Sequence, residues 1–258
     1  MTQAKQVEWF EQWKMLEDDE LFLFNDWIFP YTLDDFTGKE VLECGCGGGQ
    51  HTSFIAPYAK NVTSVDLNTI SIAKKRNEGS SNVSFYEADI ATMDLGTTFD
   101  FVISIGVVHH TDDPDKTIAN LKRHIKPGGK LILWVYSEEG NMLMKYIVEP
   151  FRKNILLNVS RKILLQLAQF ITSIMYFPIY TVYLLPLKTL PYYHYFVNFR
   201  KLSYKRNVLN IFDKLNAPQV MFISQNHARS WLKDNEFDQI HISSYNNVSW
   251  RISGKKCQ

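Results

Sequence analysis

Short apolar runs alternate with stretches of helical spacing between residues 41 and 136. The apolar runs are short and partly β-branched, and they lie at 41–43, 62–65, 83–86, 101–105 and 131–135. The clearest helical stretch covers 113–125, where Asp112 or Asp113 can cap the helix and Pro114 suits its first turn. The turn sequence from Lys126 to Gly129 then ends it. Apolar strands joined by helices predict a parallel sheet that is covered on both faces.

The C-terminal part of the chain returns to this α/β pattern. Ser224 can cap a helix, and residues 237–243 and 248–253 predict two strands. Two asparagines at 246–247 separate these strands, which is typical of an antiparallel hairpin.

The N-terminal segment is rich in aromatic and acidic residues. Trp9, Trp13 and Leu16 recur at helical spacing, which predicts an amphipathic segment lying over the main domain. Such a stripe belongs to a core more often than to a lid over a ligand. The chain thus divides into an N-terminal helical cover (1–37), an α/β core (38–140), a helical apolar cap (141–223), and a last helix with terminal strands that complete the core (224–258).

The predicted cap contains an unusually long uncharged segment. Residues 163–187 carry no charge, and basic residues flank them at Arg161, Lys162 and Lys188. A segment of about 20 apolar residues is long enough to span a bilayer. Polar residues at helical spacing and two prolines argue against a span: Gln166, Gln169, Ser173, Pro178 and Pro186. We expect a helical cap that forms the roof of an acceptor site, with peripheral membrane contact through 155–190 as the alternative.

Composition excludes several classes of function. The 258 residues carry 28 Lys and Arg against 27 Asp and Glu, so a net charge of +1 gives no field for a nucleic-acid partner. Three cysteines form no disulfide framework, and no second ligand pair at metal spacing accompanies them. The first residues lack the pattern of a signal peptide, so we expect a cytoplasmic protein, peripheral at the membrane if the cap binds lipid. The sequence does not indicate an oligomeric state.

The most informative motif is the glycine-rich turn that follows the first apolar run. A strand ending at Glu43 runs into Gly45, and further glycines follow at 47–49. Asp66 ends the next apolar run, about twenty residues after the first glycine, which is the reach needed for a ribose. A carboxylate at Glu43 would repel a pyrophosphate but suits a cationic, amino-acid-like ligand. The motif therefore predicts a nucleotide-like cofactor other than a dinucleotide.

Two later segments extend this candidate site. Asp89 and Ile90 close the third predicted strand, where they suit the exocyclic amine and the ring face of an adenine. The fourth strand runs into His109 and His110, at the sheet edge where open α/β sheets bind ligands. One of the pair could be a general base, or the pair could fix the loop and position the substrate.

These segments, in this order and spacing, resemble the class I S-adenosylmethionine-dependent methyltransferases over residues 38–136 and more loosely over 224–254. The tail 247–256 and the apolar insertion look like one bacterial branch of that family. The resemblance implies a Rossmann-like α/β fold, a seven-stranded, mostly parallel sheet whose last strand is antiparallel. It also implies transfer of a methyl group from S-adenosyl-L-methionine, which leaves S-adenosyl-L-homocysteine.

The resemblance assigns roles to residues that match the family's motifs. It places Glu43, Gly45 and Gly47 around the methionine moiety, Asp66 on the ribose, and Ile105 and Gly106 beside the sulfonium. The full set of cofactor-binding candidates is Glu43, Gly45, Cys46, Gly47, His51, Asp66, Leu67, Asp89, Ile90, Ile105 and Gly106. Structural roles remain open beside these: Glu43 could cap loop amides, Asp66 could cap a helix over 68–77, and His51 could lie on a helix surface.

The predicted function is methyl transfer to a small-molecule acceptor through an oxygen, nitrogen or carbon atom. A methyltransferase acting on a membrane lipid, quinone or lipid-linked saccharide is the alternative that the apolar segment favours. A third hypothesis, from another class, is a non-catalytic sensor or partner protein that binds S-adenosylmethionine without transferring the methyl group.

Overall fold

A computed structural model describes residues 3–15, 20–233 and 235–258, with side chains from residue 7 onward. Seven strands of these residues form one sheet: β1 (Glu40–Cys44), β2 (Asn61–Asp66), β3 (Val83–Glu87), β4 (Phe99–Ile105), β5 (Ile125–Tyr136), β6 (Phe237–Tyr245) and β7 (Ser249–Lys256). The helices are α1 (Gln3–Trp13), α2 (Leu21–Ile28), α3 (Gln50–Ile55), α4 (Ile70–Arg76), α5 (Pro114–Arg123), α6 (Glu149–Asn154), α7 (Arg161–Ile179), α8 (Tyr193–Phe199), α9 (Tyr204–Asn216) and α10 (Gln225–Trp231). Leu16, a member of the predicted N-terminal stripe, lies outside the described residues.

The strand order is β3-β2-β1-β4-β5-β7-β6. Strands β1 to β5 are parallel to one another, whereas β7 runs antiparallel to both β5 and β6. This confirms the predicted seven-stranded, mostly parallel sheet. The chain order reverses between β1 and β4, so the ends of these two strands open a crevice at the carboxyl edge of the sheet.

The predicted turns and caps explain several element boundaries. The hairpin between β6 and β7 turns at Asn246 and Asn247, whose φ angles of 53° and 59° are typical of a type I′ turn. The side chain of Asp113 accepts a hydrogen bond from Lys116 N at 2.9 Å and caps α5, as predicted. Ser224 caps α10 in the same way through His227 N at 3.2 Å.

The predicted end of α5 was wrong. The helix stops at Arg123 rather than at residue 125, with His124 as its C-cap. Ile125 already pairs with Phe99 of β4, so β5 begins before the glycine turn. A cross-strand partner competes with the last helical turn here, and the segment from Lys126 to Gly129 therefore belongs to the strand and not to the end of the helix.

Both faces of the sheet are buried. Helix α5 packs Ile118 and Leu121 into the cluster on one face, and α10 adds Trp231. On the other face, Phe24 and Ile28 of α2 are fully buried against β1, β4 and β5. Each such side chain contributes about 1.5–3 kcal/mol through burial, so these helices fix the strands that carry the crevice.

Residues 141–223 fold into helices α6 to α9 between β5 and α10. Their core is separate from the sheet clusters and is built mainly by α7 and α9, with Leu164, Ala168 and Phe212 fully buried. Helix α1 joins this unit to the rest of the protein, because Glu8 pairs with Arg161 and the Gln12 side chain donates to Asp213 Oδ1 at 2.7 Å. Among the described residues, α7 is the one helix long and apolar enough to cross a membrane by length and composition.

Candidate active site at the carboxyl edge of the sheet

An open cavity of about 360 Å³ lies at the carboxyl ends of the parallel strands. Its lining comes from the ends of β1, β2, β3 and β4 with the loops that follow them, and from helices α1 and α5: Trp9, Trp13, Gly45, Asp66, Leu67, Asn68, Ala88, Asp89, Ile90, Ala91, Thr92, Gly106, Val107, His110, Thr111, Asp112, Asp113 and Lys116. Pockets of this volume hold small ligands and cofactors.

The glycine-rich turn forms one wall of this cavity. Gly45 has a φ of +82°, and a Cβ there would overlap the Val107 side chain. Gly47 has a φ of +52°, and a Cβ there would lie 2.5 Å from the indole of Trp13. These backbone conformations and close approaches require glycine, so the turn can pass directly beneath a ligand.

Asp66 holds this turn in place. Its Oδ2 accepts a hydrogen bond from Gly47 N at 2.9 Å, and its Oδ1 accepts one from Asn68 N at 3.3 Å. Helix α4 begins at Ile70 with Thr69 as its N-cap, so Asp66 does not cap this helix. An ionised carboxylate accepts about four hydrogen bonds, which leaves capacity for the hydroxyls of a ribose.

Glu43 lies beneath the turn and is 2% exposed. Its Oε2 accepts hydrogen bonds from the hydroxyl groups of Thr52 and Ser64, the latter at 3.4 Å. Its Oε1 lies 3.6 Å from His51 Nδ1 and has no hydrogen-bond partner among the described residues. The carboxylate therefore bonds to hydroxyl groups of neighbouring elements, and no bond to a loop amide is found among the described residues.

The segment after β3 forms the opposite wall. Asp89 Oδ1 accepts a hydrogen bond from Ala91 N at 2.9 Å, which tightens the turn. The Asn120 side chain of α5 donates to the backbone oxygens of Ile90 and Met93, at 3.1 and 2.9 Å. These bonds present an apolar surface and a carboxylate side by side to the cavity.

The structure separates the roles of the two histidines. His110 lines the cavity, and its Nδ1 lies 2.6 Å from Gln219 O. Because a carbonyl oxygen only accepts, Nδ1 carries the proton and Nε2 keeps its lone pair. Burial lowers the pKa of His110, which favours this neutral form.

His109 lies behind the lining and is fully buried. Neither ring nitrogen has a hydrogen-bond partner among the described residues, and its ring centroid lies 4.3 Å from that of Tyr136. Burial lowers the pKa of His109 well below its ordinary value. The ring is therefore a neutral packing element in this structure.

The predicted site residues fall into two groups. Seven line the cavity: Gly45, Asp66, Leu67, Asp89, Ile90, Gly106 and His110. Six are not part of the lining: Glu43, Cys46, Gly47, His51, Ile105 and His109. His51 is stacked on Phe24 with ring centroids 4.8 Å apart, so it packs inside the protein rather than on a helix surface.

Several lining residues were not among the predicted site residues. Lys116 lies in the first turn of α5 and lines the cavity. The sequence predicted the start of this helix, but it did not show that this turn faces the cavity, because the other lining residues are remote in the chain. Trp9 and Trp13 line the cavity. The tryptophan stripe therefore lies at the ligand cavity, which the sequence analysis gave as less common than a position in the core. Among the described residues, no group of three His, Cys, Asp or Glu side chains is placed to hold a metal ion.

Comparison with known proteins finds a similarity over the part of the chain that carries this site. The family model described as "Methyltransferase domain" matches residues 42–133. A ubiquinone biosynthesis O-methyltransferase from Coxiella burnetii is 35% identical over 118 residues, which cover 43% of this chain and 50% of that protein. A tRNA U34 carboxymethyltransferase from Idiomarina loihiensis is 29% identical over 143 residues, which cover 52% of this chain and 41% of that protein. The chain spans about half or less of the length of these curated relatives.

Solved structures share the fold at low sequence identity. The N-methyltransferase NodS from Bradyrhizobium japonicum, in complex with S-adenosyl-L-homocysteine, matches with a TM-score of 0.51 and 13% identity over 97% of this chain and all of that one. An O-methyltransferase family protein from Burkholderia thailandensis matches with a TM-score of 0.52 and 13% identity over 92% of this chain and 56% of that one. The residues matched by the family model, 42–133, include the glycine turn and Asp66. Residues 42–133 are therefore similar to a methyltransferase domain, and the chain shares the fold of solved methyltransferase structures.

Proposed function

We propose that this protein binds S-adenosylmethionine in the cavity and transfers its methyl group to a small-molecule acceptor. The observation that carries this proposal is the 2.9 Å bond from Gly47 N to Asp66, whose side chain lines the cavity. It holds the glycine turn beside the carboxylate that we propose binds the ribose. Asp89 and Ile90 on the opposite wall support an adenine at that end.

The residues of the cavity suit the charges of this cofactor. Within the described part of the chain, one oxygen of the buried Glu43 carboxylate has no hydrogen-bond partner, and a negative charge on it would lie next to the turn proposed to hold the methionine moiety. A positively charged amino group and sulfonium are stabilised by such a charge, whereas a pyrophosphate is repelled. When bound, the cofactor supplies an electrophilic methyl group on a sulfonium that is already a good leaving group. The main task of the protein is therefore to align the acceptor.

His110 is the proposed general base. Its Nε2 lone pair is fixed by the bond from Nδ1 to Gln219 O, and the ring lines the cavity. The base would take a proton from a hydroxyl or a protonated amine of the acceptor as the new bond to the methyl group forms. Because burial lowers the pKa of His110, the base is already neutral at pH 7 and the rate should fall only in the acid range.

A lipid, quinone or lipid-linked saccharide is the second candidate acceptor. Helices α6 and α7, in the unit that follows β5, expose apolar side chains. Such side chains favour an apolar acceptor. The Coxiella relative, named a ubiquinone biosynthesis O-methyltransferase, agrees with an acceptor of this class.

Transfer of a labelled methyl group tests the proposal. Labelled S-adenosylmethionine is incubated with the protein and with aqueous and organic fractions of cells that encode it. Label in the organic fraction would identify the lipid-type acceptor, and label in the aqueous fraction the soluble type. His110→Gln should lower the transfer rate while sparing binding of S-adenosylhomocysteine, and His194→Gln, an exposed histidine of α8, is the matched control. Binding without transfer to any fraction would instead indicate a sensor protein.

A further inference from the structure

Helix α7 leaves one continuous apolar stripe uncovered. The opposite side of the helix is buried in the cap core through Leu164, Ala168, Thr172 and Ile179. The exposed stripe recurs at helical spacing, with exposed fractions of 55%, 62%, 56% and 76% for Ile163, Phe170, Ile174 and Phe177. We call these four side chains the outer face of α7.

The segment that follows the helix also exposes apolar side chains. After Ile179, four more aliphatic side chains are between 44% and 58% exposed: Val182, Leu184, Leu185 and Leu187. Apolar side chains exposed singly are normal on a protein surface, whereas a contiguous run of them marks an interaction surface. The part of α7 that is apolar enough to cross a membrane is only 22% buried, unlike the core helix of a soluble domain.

The charge of the cap favours an anionic partner for this surface. Residues 141–223 contain eleven Lys and Arg but only two acids, Glu149 and Asp213, so the segment carries a net charge of +9. The rest of the chain has 17 basic and 25 acidic residues, a net charge of −8, and the overall value of +1 hides this asymmetry. Lys162 and Lys188, both exposed, flank the outer face and its extension.

We propose that the outer face of α7 and the segment 182–187 bind the surface of an anionic lipid bilayer. The apolar stripe would enter the boundary between headgroups and acyl chains, while the lysines pair with anionic headgroups. A second copy of the chain fits less well, because two caps of +9 would face each other and repel.

The helix would lie on the membrane rather than cross it. Its buried side builds the cap core with α9, and a span would require this side to leave that core. The predicted polar stripe of Gln166, Gln169 and Ser173 is exposed beside the outer face, and Ser173 Oγ lies 2.8 Å from Tyr204 Oη. Polar groups in this position suit the headgroup layer and would be costly in the hydrocarbon core.

Sedimentation with vesicles tests this inference. The full-length protein is mixed with vesicles of phosphatidylcholine alone, or of an equal mixture of phosphatidylcholine and phosphatidylglycerol. We expect it to sediment with the anionic vesicles and to stay largely in solution with the neutral ones. The double variant Lys162→Gln/Lys188→Gln should bind the anionic vesicles about 25-fold less tightly, since each lysine near the surface contributes about fivefold. Lys74→Gln/Lys75→Gln, exposed lysines of α4, should bind like the wild type.

A second pair of variants tests the apolar contribution. Phe170→Gln/Phe177→Gln should release the protein from anionic vesicles, whereas Tyr86→Gln, which removes a 50% exposed aromatic ring of β3, should not. Binding of S-adenosylhomocysteine is measured for every variant, so loss of the fold or of the cofactor site is distinguished from loss of membrane binding. Equal sedimentation with both vesicles, wild-type behaviour of the variants, a dimer that depends on the two phenylalanines, or recovery of the protein only in detergent would overturn the inference.

Discussion

The contact between Asp66 and the glycine turn leads to a quantitative prediction. Asp66→Ala removes the acceptor of the 2.9 Å bond from Gly47 N and the carboxylate proposed to hold the ribose. A hydrogen bond to a charged group contributes about 1.5–3 kcal/mol, so the affinity for S-adenosylhomocysteine should fall about 10-fold to 150-fold. Titration calorimetry of wild type and variant measures this difference directly.

A matched control is available in another turn of the same protein. Asp94 Oδ1 accepts a hydrogen bond from Gly96 N at 3.0 Å, in an exposed position outside the cavity. Asp94→Ala removes the same kind of contact and should leave the affinity unchanged. Asp66→Asn keeps an acceptor for Gly47 N but loses the charge, so its affinity should lie between those of the wild type and Asp66→Ala. Equal affinities of the wild type and Asp66→Ala would refute the assignment of this carboxylate to the cofactor.

Two further predictions concern buried titratable groups. Burial raises the pKa values of the Cys44 and Cys46 thiols well above their ordinary range, so a thiol reagent should modify only Cys257 in the native protein and all three cysteines in denaturant; rapid modification of a second thiol would contradict the burial. Burial lowers the pKa values of both His109 and His110, so the unfolded state takes up protons first as the pH falls. The free energy of unfolding, measured in urea, should therefore decrease below a pH of about 6.5 until the folded-state pKa values are reached, and a flat profile from about pH 7.5 to about pH 5.5 would contradict this.

The fold was largely predictable because its main signals are local. Each parallel strand was predicted from an apolar run, and the hairpin from two asparagines that tolerate a left-handed backbone. The start of β5 was missed because Ile125 becomes a strand residue only through its partner Phe99. Pairing across 26 positions of the chain cannot be inferred from either segment alone.

The motifs of the site were predictable from the sequence, but which of their residues line the cavity was not. The spacing of Gly45 and Asp66 follows from strand and helix lengths, and both residues line the cavity. Glu43 lies beneath the turn because it bonds to Thr52 and Ser64 of other elements, which a linear pattern does not reveal. The contact of Trp13 with Gly47 joins two segments 34 residues apart, so the N-terminal stripe could not be assigned to the cavity from the sequence.

Ligand binding tests the central claim most directly. Calorimetric titration of the wild-type protein with S-adenosylhomocysteine, followed by the same titration with NAD, compares the proposed cofactor product with a dinucleotide. The buried carboxyl group of Glu43 and the 2.9 Å bond of Asp66 to the turn predict that S-adenosylhomocysteine binds with one site per chain and that NAD gives no binding heat. Binding of NAD without binding of S-adenosylhomocysteine would contradict the account.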